Sequence, residues 1–383
     1  MNPTDFSPNT PGNLIRTRSG YWAFVPNPLP PKIDWSADLI SLLSEADRAL
    51  TQLGEVGQAF QASHIMVKPF VRQEAVLSSR IEGTRTSLEE LYTYEAAHLS
   101  FLESRADAHK VHNYVSALEY GLGRLTTLPV SLRLIRELHQ RLMQGVRGEH
   151  WTPGEFRRSQ NWIGPPGATI ETATYVPPPV DEMHTALDQF EKYIHEPPKL
   201  PPLVRLGLIH YQFESIHPFL DGNGRVGRLL TTLLLCEWDL LLQPFLYLSA
   251  YFEAQRSQYY RHLMAVSQHG DWDGWLRFFL MGVRDQSRES RERVMALNAL
   301  RVSYQRQLQD ERAVEQLMRV IDFLFGQPIA TIRQIETGIK ASDYKVAQRY
   351  VEKLEQHGIL REITGKARNR VYRADKILNT IKV

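Results

Sequence analysis

Residues 229–242, Leu-Leu-Thr-Thr-Leu-Leu-Leu-Cys-Glu-Trp-Asp-Leu-Leu-Leu, are the longest apolar run in the chain. Glu237 and Asp239 interrupt the run. It also falls short of the roughly 20 residues that a membrane-spanning helix needs. It therefore reads as a buried core helix. Upstream, from Ala37 to Phe60, Leu39, Leu42, Leu43, Ala46, Leu50 and Leu53 recur at three- and four-residue steps, the spacing of an amphipathic helix followed by a second. Further helices are expected over 86–98, 106–123, 131–145, 180–195 and 203–216, so the body is predicted to be mainly α.

Proline and glycine set the boundaries of this pattern. Residues 1–35 are rich in Pro, Asn and Thr, with Pro26, Pro28, Pro30 and Pro31 close together, and an extended arm is expected there. Pro69 suits the first turn of a helix over 69–82, with Gly83 placed to end it. The stretch 161–179 breaks the helical regime with Gly164-Pro-Pro-Gly167, then Thr169-Ile170 and Thr174-Tyr175-Val176, then three prolines. A short hairpin or flap is expected. After Val283 a charged segment opens a long helix toward Arg312. Residues 314–383 read as a compact unit with helices over 314–325 and 342–356, the latter with Val346, Val351 and Leu354 inward. Strands over 359–363 and 370–373 flank the turn 364–369. This helix-turn-helix with a basic hairpin resembles a winged helix.

A chain of 383 residues has room for two to three folding units. Its 45 basic and 43 acidic side chains leave a net charge of +2, which gives no global drive toward nucleic acid or anionic membrane. The single cysteine, Cys236, lies in the apolar run and reads as core; it excludes an intramolecular disulfide. Residues 1–18 are polar and lack the apolar stretch of a signal peptide, so a reducing, cytoplasmic setting is expected.

The sharpest local chemistry lies at 217–228. A loop, His217-Pro-Phe-Leu-Asp221, joins one helix to the next, which Gly222-Asn-Gly224 opens. Glycines let backbone approach a ligand, and N–H groups at a helix start form an anion site, so the loop can cradle phosphates. Arg225 and Arg228 add positive charge there. His217 is placed as a general base, since a free imidazole titrates at roughly 6.5. Asp221 is placed to hold Mg²⁺ against phosphate oxygens.

The whole string His217-Pro-Phe-Leu-Asp-Gly-Asn-Gly-Arg-Val-Gly-Arg228 resembles the complete Fic motif. The resemblance extends over roughly 36–285, and a winged-helix tail also recurs in Fic proteins. It implies a mainly α fold: a Fic-type helical core with a short β-hairpin flap, plus a C-terminal winged-helix (α+β) domain. The expected division is an arm over 1–35, a catalytic domain over 36–285 that includes an inhibitory helix at 69–83, a linker helix over 286–313 and the winged helix over 314–383. The activity implied is transfer of AMP from ATP to a Ser, Thr or Tyr hydroxyl of a protein. His217 would then be the base and Asp221 the metal ligand. Asn223 and the amides of Gly222 to Gly224 would hold the α-phosphate, with Arg225, Val226 and Gly227 completing the ATP loop and Arg228 taking the outer phosphates. Tyr259, Tyr260 and Ser267 would lie near the base of ATP. Thr174, Tyr175 and Val176 would present a strand edge to the target protein.

Ser78 and Glu82 share one helix face, with Gly83 immediately after. Ser78-Ser-Arg-Ile-Glu82-Gly83 resembles the inhibitory motif of the family, in which the glutamate pairs with the second arginine of the Fic motif, here Arg228. In the C-terminal module Lys345, Arg349 and Lys353 form a stripe, and Lys366, Arg368 and Arg370 add a basic wing. Expected partners are a target protein, which the chain itself can be, DNA or protein through 314–383, and a second copy of the chain as a homodimer; a membrane is not among them. Two other activities compete with AMP transfer: removal of AMP from a modified protein, with Glu82 aligning a water, and an ATP-sensing DNA-binding regulator. An intact His217 argues against sensing as the sole role.

Overall fold

The computed structural model describes residues 1–59, 63–97, 104–145, 152–366 and 368–382, with the side chains of 63–65, 97, 104 and 105 left aside. In chain order the elements are β1 (Gly12–Arg16), β2 (Trp22–Pro26), α1 (Ala37–Ala59), α2 (Ser63–Ile81), α3 (Leu88–Ala97), α4 (Ser104–Arg124), α5 (Leu132–Leu142), α6 (Val180–His195), α7 (Pro202–Ile216) and α8 (Asn223–Glu237). They continue with α9 (Ser249–Ala254), α10 (Arg256–His269), α11 (Trp272–Gln307), α12 (Val314–Gly326), β3 (Ile329–Thr331), α13 (Ile332–Ile339), α14 (Tyr344–Gln356), β4 (Arg361–Glu362), β5 (Val371–Arg373) and α15 (Asp375–Ile381). The protein is mainly helical. Two compact units divide it: Met1–Ala49, Ser116–Asp239 and Tyr251–Asp285 form the first, and Leu50–Val115, Leu240–Ala250 and Gln286–Val383 the second.

The first unit is built around α7 and α8, which pack on each other. α8 is the apolar run predicted as a core helix, and Val226, Leu229, Leu230, Leu233 and Leu234 are buried along it. It stops at Glu237, because Asp239 turns left-handed with φ 54°, and Leu242 at the end of the run is exposed. α6 and α10 cover α7, and α5 covers α8. Burial pushes the Cys236 thiol up to about 12, so it stays protonated and unreactive at neutral pH.

Three expectations change here. The proline-rich arm holds a β-hairpin, β1 pairing antiparallel with β2 and Leu14 opposite Phe24. Ala23 and Phe24 become fully buried, and that burial is what brings the segment into a sheet. Pro26 closes the second strand opposite Gly12, and Pro28, Pro30 and Pro31 follow it outside any element. The flap is a single bridge, Ile163 to Tyr175, rather than a two-stranded hairpin, since Pro165 and Pro166 have no N–H to donate to a longer ladder. The long charged helix, α11, starts at Trp272, ahead of the charged segment.

In the second unit α2 begins at Ser63, so Pro69 lies inside the helix and not at its start. A proline there removes one helix bond. Met66, Val67, Phe70 and Val71 are buried on either side of it, and this packing carries the helix through. Gly83 ends the segment as expected, with φ 94°. α12, α3 and α15 pack on α2, and α3 lies against β3. Residue 98, expected to end the third helix, falls outside the described residues. The sheet order is β3-β5-β4, all antiparallel. Thr331 and Gln334 form a capping box on α13, and Asp343 caps α14 by accepting from Val346 N–H at 3.0 Å. Val351 and Leu354 point into the core; Val346 is only half-buried. The turn between β4 and β5 includes Ala367, outside the described residues. Among the described residues no helix is long and apolar enough to cross a membrane.

Candidate active site

α7 ends at Ile216 because His217 turns left-handed, φ 50° and ψ 59°, while its N–H still donates to Phe213 C=O at 3.1 Å. Such a backbone is unfavourable for a residue with a side chain and is a mark of functional sites. The imidazole Nδ1 lies 3.2 Å from the Glu214 carbonyl. A carbonyl only accepts, so Nδ1 carries the hydrogen of the neutral ring and Nε2 carries the lone pair.

The loop then reverses over five residues. Asn223 Oδ1 accepts from Phe219 N–H at 2.8 Å and its Nδ2 donates to Phe219 C=O at 2.8 Å. Gly222 is left-handed, φ 83°, and opens α8; Val226 N–H returns to Gly222 C=O at 3.0 Å. Helical geometry gives the amides of Asn223, Gly224 and Arg225 no acceptor within the helix, so the positive end of α8 lies at this turn. Asp221 is partly exposed; its Oδ1 accepts from Gly222 N–H at 2.7 Å and its Oδ2 from Arg225 at 3.3 Å.

Buried histidines support the loop from behind. Gly154 N–H donates to His139 Nδ1 at 2.9 Å, so Nε2 holds the proton and donates to Asp221 C=O at 3.0 Å. The His139 ring stacks on Phe219 with centroids 3.8 Å apart, and burial pushes its imidazole down to about 4. It is neutral at physiological pH. Under α8, Thr231 donates to Gly227 C=O at 3.1 Å and accepts from His210 Nδ1 at 3.1 Å; His210 Nε2 in turn accepts from Tyr259 at 2.8 Å. Burial, with the Arg228 charge adding, pushes His210 down to about 3. Gly227 sits where α7 and α8 meet: a Cβ there would lie 2.6 Å from Glu214 Oε1.

The flap borders the same loop. Ile163 C=O accepts from the N–H groups of Thr174 and Tyr175 at 2.9 and 3.0 Å, and Phe24 N–H of β2 takes the Val176 carbonyl at 2.9 Å. Arg157 and Asn161, which the sequence reading did not single out, reach from the flap entry to the His217 carbonyl at 3.1 and 3.2 Å.

Residues 40–123 match the family described as Fic/DOC family N-terminal, and residues 129–235 match the Fic/DOC family. These two segments belong to the Fic/DOC family. The protein adenylyltransferase Fic of Drosophila mojavensis is 29% identical over 263 residues, covering 63% of this chain and 47% of that protein. The chain thus spans about half the length of the curated relatives it matches. Among solved structures, a Fic family protein from Desulfovibrio desulfuricans G20 aligns over 90% of this chain and 98% of its own, at TM-score 0.59 and 20% identity. Fic-1 from C. elegans aligns over 69% and 74%, at TM-score 0.52 and 21% identity. These two likenesses concern the fold.

The remaining sequence-predicted residues of the Fic motif and its surroundings fall into distinct settings. Asn223, Arg225, Val226 and Arg228 are buried, while Gly224 is half-buried. Tyr259 is fully buried against His210, whereas Tyr260 is 41% exposed, with Arg256 lying over its ring at 5.9 Å. Ser267 is buried; its hydroxyl contacts Tyr211 at 2.9 Å. In the flap, Thr174 is exposed, while Tyr175 and Val176 are buried and the Tyr175 hydroxyl donates to Ser215 C=O at 2.9 Å. Ser78 is fully buried in α2; Glu82 follows the last helical residue and is exposed, with its N–H on Ser79 C=O at 3.1 Å. These inhibitory residues belong to the second unit and the Fic motif to the first. No local signal marked Arg157, Asn161, His139 or His210, because lone polar residues between Pro and Gly or among apolar neighbours read as surface or core groups.

Proposed function

We propose that this site transfers AMP from ATP to a Ser, Thr or Tyr hydroxyl of a protein. The observation that carries the reading is the His217 ring, held through Nδ1 at the Glu214 carbonyl so that Nε2 is basic, one short loop ahead of the α8 amides. The acceptor oxygen attacks the α-phosphorus, its proton passes to His217 Nε2, and the bond to the β-phosphate breaks to release diphosphate. Amides of Asn223 and Gly224 and the charge of Arg225 receive the phosphate oxygens. The Asn223 side chain, committed to Phe219, keeps the turn in shape rather than binding phosphate. Arg228 takes the outer phosphates, and Tyr260 is the residue beside adenine. The exposed Thr174 presents the flap to the target, while Tyr175 and Val176 support it from within.

Among the described residues no group of three or more His, Cys, Asp or Glu is built to hold a metal ion. Mg²⁺ that arrives with nucleotide phosphates needs only one or two protein carboxylates, so the partly exposed Asp221 fits that role. When bound, the ion would neutralise charge on the phosphate oxygens.

Glu82 we read as a brake that competes with the γ-phosphate for Arg228, as the likeness of residues 78–83 to the inhibitory motif suggests. Residues 314–383 we read as a winged helix whose exposed Lys345 and Arg349, with Lys366, Arg368 and Arg370, face duplex DNA. Lys353 is held by Glu311 at 3.1 Å and contributes less.

The experiment is incubation with α-labelled ATP and Mg²⁺, alone and in a cell lysate. His217→Ala is expected to lower labelling by about 10²–10⁴-fold and to keep ATP binding. Wild-type labelling by His217→Ala, or release of AMP in place of its attachment, overturns the assignment.

A further inference from the structure

Arg157 has a fully buried side chain, far from the exposed position usual for arginine. Its Nε donates to the His217 carbonyl at 3.1 Å, one terminal nitrogen to Ser159 C=O at 3.3 Å and the other to Pro178 C=O. Its own N–H donates to Pro218 C=O at 2.9 Å. The three carbonyls belong to three places: the left-handed turn that carries the base, the entry of the flap and its exit.

We propose that Arg157 is a positioning residue that clamps both ends of the flap to the His217 carbonyl and so sets the distance between the acceptor hydroxyl and the base. The proposal rests on the AMP-transfer reading of the site. A planar guanidinium suits this task because its N–H groups diverge in a fixed fork, whereas an ammonium offers a point charge. Burial lowers the guanidinium to about 10, which leaves it protonated at neutral pH with all donors present. Asn161 adds a second donor to the His217 carbonyl at 3.2 Å and another to Phe219 C=O at 2.7 Å. The His217 backbone is therefore held from the flap side. The α8 turn has holds that do not involve the Arg157 side chain: Asn223 and Asn161 on Phe219, and His139 on Asp221. Loss of the clamp should thus displace the acceptor and leave the phosphate loop in place.

The test compares Arg157→Lys and Arg157→Gln with wild type in the full chain, reading thermal melting, ATP dissociation constant, kcat and KM for labelled transfer, and hydrogen exchange at Ile163, Thr174 and Tyr175. Both variants are expected to melt cooperatively and to bind ATP as wild type does, with kcat lowered about 10²-fold and faster exchange at the three flap amides. Wild-type kcat, a matching loss of ATP affinity, or unchanged flap exchange would each overturn the clamp. Failure of both variants to fold would make Arg157 a folding residue and overturn it as well. If the wild-type protein transfers no AMP, the functional reading fails, and the exchange comparison alone decides whether Arg157 holds the flap.

Discussion

Asn223 engages Phe219 twice, its Oδ1 taking the N–H and its Nδ2 giving to the carbonyl, each at 2.8 Å. An amide side chain thereby imitates a strand neighbour and closes the loop between His217 and α8. Asn223→Asp would set a second acceptor against the Phe219 carbonyl. A buried polar group left without its partner costs about 1–3 kcal/mol. ATP binding, measured by titration, is expected to weaken roughly tenfold or more; wild-type affinity in Asn223→Asp would show that the turn holds its shape without this pair.

Glu82→Gly is expected to raise AMP transfer about ten- to a hundred-fold, the equivalent of losing one charge-assisted contact of roughly 1.5–3 kcal/mol. Adding Arg228→Ala should return the protein to inactivity, because Arg228 is the group released. Labelled AMP in the protein itself and in a lysate is the readout. Unchanged transfer in Glu82→Gly removes the brake, and higher transfer in the double variant removes Arg228 as its target.

Acid should destabilise the protein through its buried histidines. His210 is held down to about 3 and His139 to about 4, chiefly by burial, against roughly 6.5 for free imidazole. Below about pH 6.5 the unfolded chain binds protons that the native state refuses, so stability is full above that pH and falls as pH drops toward these native values. His210→Gln keeps an acceptor and a donor yet does not titrate. Its unfolding free energy, followed by denaturant titration, should decline less steeply between pH 6.5 and 4, by up to about 1.4 kcal/mol per pH unit. Parallel curves for the two proteins would exclude His210 from the acid response.

Reversing the charge of Lys345 and Arg349 together should weaken duplex DNA binding and flatten its salt dependence. Lys353→Glu alone should matter less, because Lys353 is already paired with Glu311. Fluorescence anisotropy on labelled duplex across a salt series separates the cases. Salt-independent or absent binding by the wild-type chain turns the module toward protein partners.

The helices, and the loop that joins α7 to α8, are written in local sequence. Apolar spacing places α1 and α5 to α8, since helical burial repeats every three to four residues wherever the helix packs. The loop is equally legible, because left-handed turns call for glycine at 222 and the motif is contiguous. Pro69 misled the start of α2, because buried neighbours on both sides outweigh the loss of one hydrogen bond. The hairpin β1-β2 was hidden for a related reason: Phe24 gains its burial from residues far along the chain, such as Tyr175.

What the sequence by itself determined is the helical class, the Fic motif and the chemistry its residues can perform. Only the tertiary structure decided which nitrogen of His217 faces the Glu214 carbonyl, that Asn223 serves the loop, that Tyr259 and Ser267 are core, and that Arg157 joins the flap to the His217 carbonyl. Each of these depends on a partner distant in sequence or on a carbonyl whose direction follows from the fold. Residue identity states what a side chain can donate or accept, and tertiary packing alone states what lies 3 Å away from it.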